Sequence, residues 1–328
     1  MYISVALCTY NGADYLKCQL LSIVSQTKSV DEIIICDDCS TDDTIKIIEL
    51  ISLQHPNLIK LYQNKIRLGV KQNFERAILL CSGDFIFLSD QDDIWINNKV
   101  EIFIKYFNNF PEISVFFSNG LMINENNKSL NKTLWDTLYF NIYRKLINFS
   151  FLDLFDYILS FDYLVTGATI GFKKNFKKKL LPFPPESLKN FWHDQWISIV
   201  ASASDELGFI NENLIYYRIH DGQQVGLNDQ LDSNYQRFEL IRNLKTKSGQ
   251  CASKFFPVSF YSGVYEKIRF ISKYHHVNEN YFIDVRSKLT SAKIIFLEDD
   301  NYIKKRLRLI IWVIRGLYGT EWKDIFKL

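Results

Sequence analysis

The chain has 328 residues, room for one large domain or two modest ones, and 47% of its side chains are apolar against 23% charged. That balance excludes a disordered chain, and a net charge of +2 gives no reason to expect nucleic acid as a partner. No run approaches the roughly 18 apolar residues of a membrane span, and Tyr2 enters a strand at once, so neither a span nor a leader is expected.

The first 95 residues alternate strand and helix. Tyr2–Cys8 is a predicted strand, and Asp14–Gln26 a helix carrying Leu16, Leu20, Ile23 and Val24 on one face. Glu32–Cys36 is a second strand ending in Asp37-Asp38, and Ser40 with Asp43 has the spacing of a capping box opening the helix Asp43–Leu53. Leu58–Tyr62 is a third strand. Val70, Phe74, Ala77 and Ile78 mark a third helix before the strand Phe85–Leu88. A βαβαβαβ order implies a mostly parallel, Rossmann-like sheet with helices on both faces. Ligands bind such sheets outside the carboxyl ends of the strands. Those ends are polar and acidic here: Thr9-Tyr-Asn-Gly12, Asp37-Asp38, Gln63-Asn64 and Asp90-Gln-Asp-Asp93.

Further along come a helix at Lys99–Asn109, a strand at Ser114–Phe117, an aromatic segment over 134–163, and the cluster Phe191-Trp-His-Asp-Gln-Trp196 before a helix Gln195–Ala201. Aromatic residues make up 15% of the chain and concentrate after residue 100, as core or as an apolar binding surface. From about 229 the chain reads as helical. Its last helix, over 303–318, is amphipathic with Lys304, Lys305, Arg306 and Arg308 at its start, suited to packing or to an anionic membrane. The run Lys173–Lys179 is either a solvated face or a second lipid contact. Six cysteines include a lone Cys36-x-x-Cys39 with no second pair at zinc-ribbon spacing, and the pattern suits a reducing cytosol.

The chemistry centres on Asp90, Asp92 and Asp93, at the end of an apolar strand. Carboxylates this close raise one another's pKa unless a cation lies among them, and hard ions such as Mg²⁺ or Mn²⁺ bind through one or two carboxylates plus substrate phosphates. A solvated acidic turn is the plainer alternative. Neither GxGxxG nor GxxxxGK[ST] occurs, so a glycine cradle is not what holds phosphate here.

Ala6-Leu-Cys-Thr-Tyr-Asn-Gly12, Cys36-Asp-Asp-Cys-Ser-Thr-Asp42, Leu68-Gly-Val-Lys-Gln-Asn-Phe74, Ser89-Asp-Gln-Asp-Asp-Ile-Trp95, Thr166-Gly-Ala-Thr-Ile-Gly171, His193-Asp-Gln-Trp196 and Tyr217-Arg-Ile-His-Asp-Gly-Gln223 occur in order. Together they resemble the family 2 glycosyltransferases of GT-A fold, in the rhamnosyltransferase-like branch of bacterial surface-polysaccharide enzymes. The resemblance covers residues 1–226 as a catalytic domain, with 1–95 as the nucleotide-sugar half and 96–226 as the acceptor half. Residues 227–328 form a helical extension outside it.

The resemblance implies an inverting transfer from a nucleotide-diphospho-sugar, dTDP- or UDP-linked, to a glycan or lipid-linked acceptor, with Mn²⁺ or Mg²⁺. It implies a cytoplasmic protein, with peripheral attachment to the membrane's inner face through the C-terminal basic helix as an added expectation. Thr9, Tyr10, Asn11 and Lys71 fall on the nucleotide-sugar side, with Thr9 and Tyr10 lining the base pocket. Asp38 would accept from the pyrimidine, or else cap a turn. Asp90 would hold the ribose or metal waters, Asp92 would ligate the metal, and Asp93 would stand behind them. Asp194 would be the general base, or else a helix cap. His220 would be a further metal ligand or touch the diphosphate, and Arg218 would neutralise the leaving group. Trp192 and Trp196 would stack on the acceptor or pack in the core. The Gln-x-x-Arg-Trp motif of processive members is absent, which favours addition of one sugar or a short series. A sugar nucleotidyltransferase and a base-less glycan- or nucleotide-binding module are the alternatives. Against the first stands the loop Thr9–Ala13, which is not the Gly-rich, basic loop such enzymes carry after the first strand; against the second, Asp92 together with Asp194.

Overall fold

The structure, a computed structural model, describes residues 1–137, 140–141, 158, 165–183, 192–221 and 223. The chain divides into two units, Met1–Asn243 and Leu244–Leu328, and every described residue belongs to the first. The expected boundary near residue 226, the helical extension, the terminal basic helix and most of the aromatic segment 134–163 lie outside the described residues.

The expected alternation is present as β1 (Ile3–Thr9), α1 (Ala13–Val24), β2 (Glu32–Asp37), α2 (Thr44–Gln54), β3 (Ile59–Gln63), α3 (Val70–Leu80) and β4 (Phe85–Ser89). Then follow β5 (Ile94–Trp95), α4 (Lys99–Asn109), β6 (Val115–Asn124), β7 (Ser129–Thr133), β8 (Ile170–Lys173), α5 (His193–Ala203) and β9 (Leu207–Ile219). One sheet runs in the order β3-β2-β1-β4-β8-β6-β9-β5, with β7 on the side of β6. Strands β3-β2-β1-β4 are parallel throughout, as are β6 and β9, while β8 is antiparallel between β4 and β6.

Burial explains the elements. Every residue of β2 is buried, as a strand covered on both faces requires. On α3, Asn73, Phe74, Ala77 and Ile78 turn inward at helical spacing, and on α4 so do Lys99, Val100, Phe103, Ile104 and Phe107. Phe103 meets Phe87 edge-on at 5.3 Å, and Trp135 meets Phe140 at 5.0 Å over Phe117 and Phe209. Each ring buried this way is worth about 2–3 kcal/mol. The described aromatics of the 134–163 segment are therefore core.

One local expectation is corrected. Ser40 and Asp43 form no capping box: the Ser40 hydroxyl donates to Asp37, Asp43 pairs with Lys46, and Asp42 receives the Thr44 N–H instead. The lysine run is tied to protein in part, while Lys174, Lys178 and Lys179 stay exposed. Lys173 donates to Pro111 O, Lys174 to Ser82 O and Lys177 to the Leu79 and Cys81 carbonyls at the end of α3, while Lys179 pairs with Glu206. Among the described residues no helix is long and apolar enough to cross a membrane.

Candidate active site

In-register pairing sets Thr9 beside Asp37 and Asp37 beside Gln63, so the strand ends arrive at one level. Above them opens a cleft of about 890 Å³, within the size range of small-molecule sites. Nine of the twelve residues singled out from sequence line it: Thr9, Tyr10, Asn11, Asp38, Asp90, Asp92, Trp192, Asp194 and His220.

The β1 end is locked from two sides. Tyr10 N–H donates to Gln91 Oε1 and Gln91 Nε2 donates back to Tyr10 O. Gly12 allows this, because a Cβ there would lie 2.2 Å from Gln91 Oε1. Asn11 holds a left-handed conformation (φ 46°), suited to its short polar side chain, which accepts from Thr41 N–H. The Arg67 guanidinium lies 3.9 Å over the Tyr10 ring.

Asp38 is 4% exposed and accepts three hydrogen bonds: Asn64 Nδ2 and Leu68 N–H on Oδ1, Gly69 N–H on Oδ2. The turn into α3 thus aims the carboxylate at the cleft and leaves most of its remaining acceptor capacity on Oδ2.

Asp90 and Asp92 face the cleft, and Asp92 Oδ2 lies 3.0 Å from His220 Nε2. Burial, with the charges of Asp92 and Asp194, pushes the Asp90 carboxyl up to about 8, against Lys99 and the Ala168 N–H. Asp93 is fully buried, and burial with the charges of Asp92 and Asp90 raises its carboxyl. Its Oδ1 accepts from the Arg218 N–H, and its Oδ2 has no partner.

Asp194 sits in the first turn of α5. Its Oδ2 accepts from Gly167 N–H at 3.2 Å and its Oδ1 from Gln195 N–H at 2.8 Å. The Trp192 N–H is bonded by Gln195 Oε1, so the helix start is held without the aspartate acting as its N-cap.

Three expected residues do not line the cleft. Trp196 is 2% exposed and its indole N–H donates to Leu180 O, which places it in the core. Arg218 is buried, and its guanidinium is taken up by the carbonyls of Asp92, Asn124 and Glu125, so it braces the acidic loop instead of facing a leaving group. Lys71 lies in the first turn of α3, outside the lining.

Three residues near the site were not assigned from sequence. Gln91 is one. His193 lines the cleft stacked on Phe74 at 4.0 Å, with both ring nitrogens unpartnered. Lys99 is buried over Trp95 and bonded to Ala168 O; burial pulls its pKa down to about 7, against Asp93 and Asp90. A histidine beside an expected base was the available signal for the second. A lysine at a helix start carries no such signal, because most are solvated.

The donor set suits a divalent ion. Asp90, Asp92 and His220 all line the cleft and offer O, O and N donors, and the repulsion from Asp92 and Asp194 that adds to burial in raising Asp90 is what a cation relieves. Among the described residues no three such side chains are already gathered around one point, so phosphate oxygens and water would complete the shell.

The α/β sheet thus delivers an aspartate from the end of β2, an acidic loop from β4 and an aspartate from α5 into one cleft. The model of the family described as "Glycosyl transferase family 2" matches residues 4–169, and the chain belongs to that family. A dTDP-rhamnosyl transferase of Shigella flexneri, RfbG, is 31% identical over 253 residues, spanning 72% of this chain and 79% of the relative. A UDP-Glc:α-D-GlcNAc-diphosphoundecaprenol β-1,3-glucosyltransferase of Escherichia coli, WfgD, is 34% identical over 38% of this chain and 47% of its own length. Among solved structures, residues 1–349 of Staphylococcus aureus TarS with UDP-GlcNAc align at TM-score 0.57 and 18% identity, covering 93% of this chain and 78% of that one. That likeness concerns the fold.

Proposed function

We propose that this glycosyltransferase moves one sugar from a dTDP- or UDP-linked donor to a glycan or lipid-linked hydroxyl in surface-polysaccharide assembly, with inversion at the anomeric carbon. The observation that carries it is the placement of Asp194. It enters the same cleft as Asp38, Asp90 and Asp92, with Oδ2 fixed by Gly167 N–H. The two relatives, named for dTDP-rhamnosyl and UDP-glucosyl transfer, support the donor class.

Asp38 reads the base. With two donors on Oδ1 and one on Oδ2, the carboxylate has room for a single ligand N–H, which matches the imide of uracil or thymine. Cytosine offers an acceptor at that ring nitrogen, and guanine needs two acceptors side by side. Thr9 and Tyr10 form the pocket wall.

Asp92 and His220, with Asp90 close by, would hold the metal. The imidazole is a nitrogen donor that Mg²⁺ accepts poorly, which favours Mn²⁺ of the two. When bound, the ion supplies positive charge to the diphosphate leaving group. Asp194 accepts the acceptor hydroxyl proton as that oxygen bonds to the anomeric carbon and the bond to the diphosphate breaks. The proton need only leave as the bond forms. Trp192, at the cleft edge beside the base, offers a face to the acceptor sugar.

The test is nucleoside diphosphate release from dTDP-rhamnose and from UDP-glucose by wild type and Asp194→Asn. Mn²⁺-dependent release that falls about 10²–10⁴-fold in the variant supports the assignment. Equal release by both proteins overturns it.

A further inference from the structure

We infer that Lys99 is a positioning residue for glycosyl transfer: its buried amino group fixes the turn Gly167–Thr169, and through that turn the placement of Asp194. The inference rests on the reading of Asp194 as the base. It extends that reading to a side chain that touches neither donor nor acceptor.

Lys99 is the first residue of α4 and has no exposed surface. Its Nζ lies 2.6 Å from Ala168 O and 4.0 Å over the Trp95 ring. Burying an amino group costs more than burying a methionine of the same length, so simple filling of this space does not call for lysine. The amino group donates to one particular carbonyl, in a turn whose first N–H serves the site. The Gly167 N–H holds Asp194 Oδ2 at 3.2 Å, and Lys99 anchors the same three-residue turn from below.

The turn has little freedom of its own. Thr169 donates to Thr166 O through both its N–H (2.9 Å) and its hydroxyl (2.6 Å). Gly167 is pressed against His193, whose Nε2 would lie 2.5 Å from any Cβ placed there. A unit closed in this way moves as a whole, so its anchor governs the placement of Asp194. Donor and base must be held within a fraction of an ångström, and a misplacement of 1 Å costs about 10²-fold in rate.

The experiment compares Lys99→Met, Gly167→Ala and the double variant for Mn²⁺-dependent nucleoside diphosphate release from dTDP-rhamnose, with UDP-glucose in parallel. The thermal shift produced by dTDP is measured on the same proteins. Lys99→Met is expected to lower kcat at least about tenfold, with donor KM changed less than about threefold. The double variant is expected to be no more than about threefold slower than the slower single one, because both changes act through one turn. Wild-type kcat in a folded Lys99→Met protein overturns the inference, as do losses that multiply in the double variant. If Lys99→Met fails to melt cooperatively, Lys99→Leu, which also lacks a donor, takes its place under the same criteria. Asp194→Asn is run alongside: full activity there refutes the base assignment, whereas a kcat effect confined to Asp194→Asn refutes only the role of Lys99.

Discussion

Asp92 and His220, 128 residues apart in sequence, meet with 3.0 Å between Oδ2 and Nε2, both side chains lying mostly out of solvent. The contact joins the loop after β4 to the end of β9 at the cleft. If the pair holds a divalent ion, His220→Ala should weaken Mn²⁺ by about 10–100-fold while the fold melts normally. Titrating Mn²⁺ against the nucleotide-induced thermal shift checks this; unchanged Mn²⁺ dependence would remove His220 from the ligand set.

Asp38 is expected to couple nucleobase recognition to local stability. Asp38→Asn turns one of the two accepting oxygens into a donor, facing either the Leu68 or the Gly69 N–H. A loss of about 1–3 kcal/mol in stability should accompany weaker dTDP and UDP binding. Denaturant melts and nucleotide titrations on the same preparation test both halves.

The two tryptophans around the base should separate cleanly. Trp196→Phe loses the indole bond to Leu180 O and some buried area, so about 1–3 kcal/mol of stability should go while acceptor KM is kept. Trp192→Ala should cost under about 0.5–1 kcal/mol but raise acceptor KM. The reverse pattern would exchange their roles.

Away from the site, Glu32 gives a pH prediction. Burial alone would raise its carboxyl, but Lys60, Ser4 and Ser82 donate to it and hold it at about 2, below an ordinary value of 4.5. Its contribution, about 3 kcal/mol, is therefore full above pH 4.5 and is lost as pH falls through 2. Glu32→Gln should be less stable than wild type at pH 7, and the gap should close on acidification between those values. A gap independent of pH would refute the linkage.

Much of this was legible in the residues. Boundaries of the first four strands fall within about two residues of expectation because apolar runs punctuated by Asp37-Asp38 or Ser82-Gly83 leave few alternatives. The cleft followed from topology, since parallel strands bring their carboxyl ends to one side. Side-chain destinations were less accessible. Trp192 and Trp196 are four residues apart in similar surroundings, and only the packing of α5 near Leu180 sends one to the core. Arg218 carries the charge for a leaving-group role, yet the three backbone carbonyls that capture it come from β6 and the acidic loop, far off in sequence. Lys99 was silent for the same reason: its partner, Ala168, is 69 residues away.

The central claim is a metal-assisted site for a uridine or thymidine diphosphate, built on Asp38 and Asp92. The most direct test is a thermal-shift screen of UDP, dTDP, GDP and CDP, each with and without Mn²⁺, on wild type and Asp92→Ala. A ligand at a hundredfold excess over its Kd adds about 2.7 kcal/mol of apparent stability, enough to read as several degrees in a chain of this size. The expected result is a Mn²⁺-dependent shift with UDP or dTDP that disappears in Asp92→Ala. A shift that survives in Asp92→Ala, or that appears with GDP or CDP alone, would contradict it.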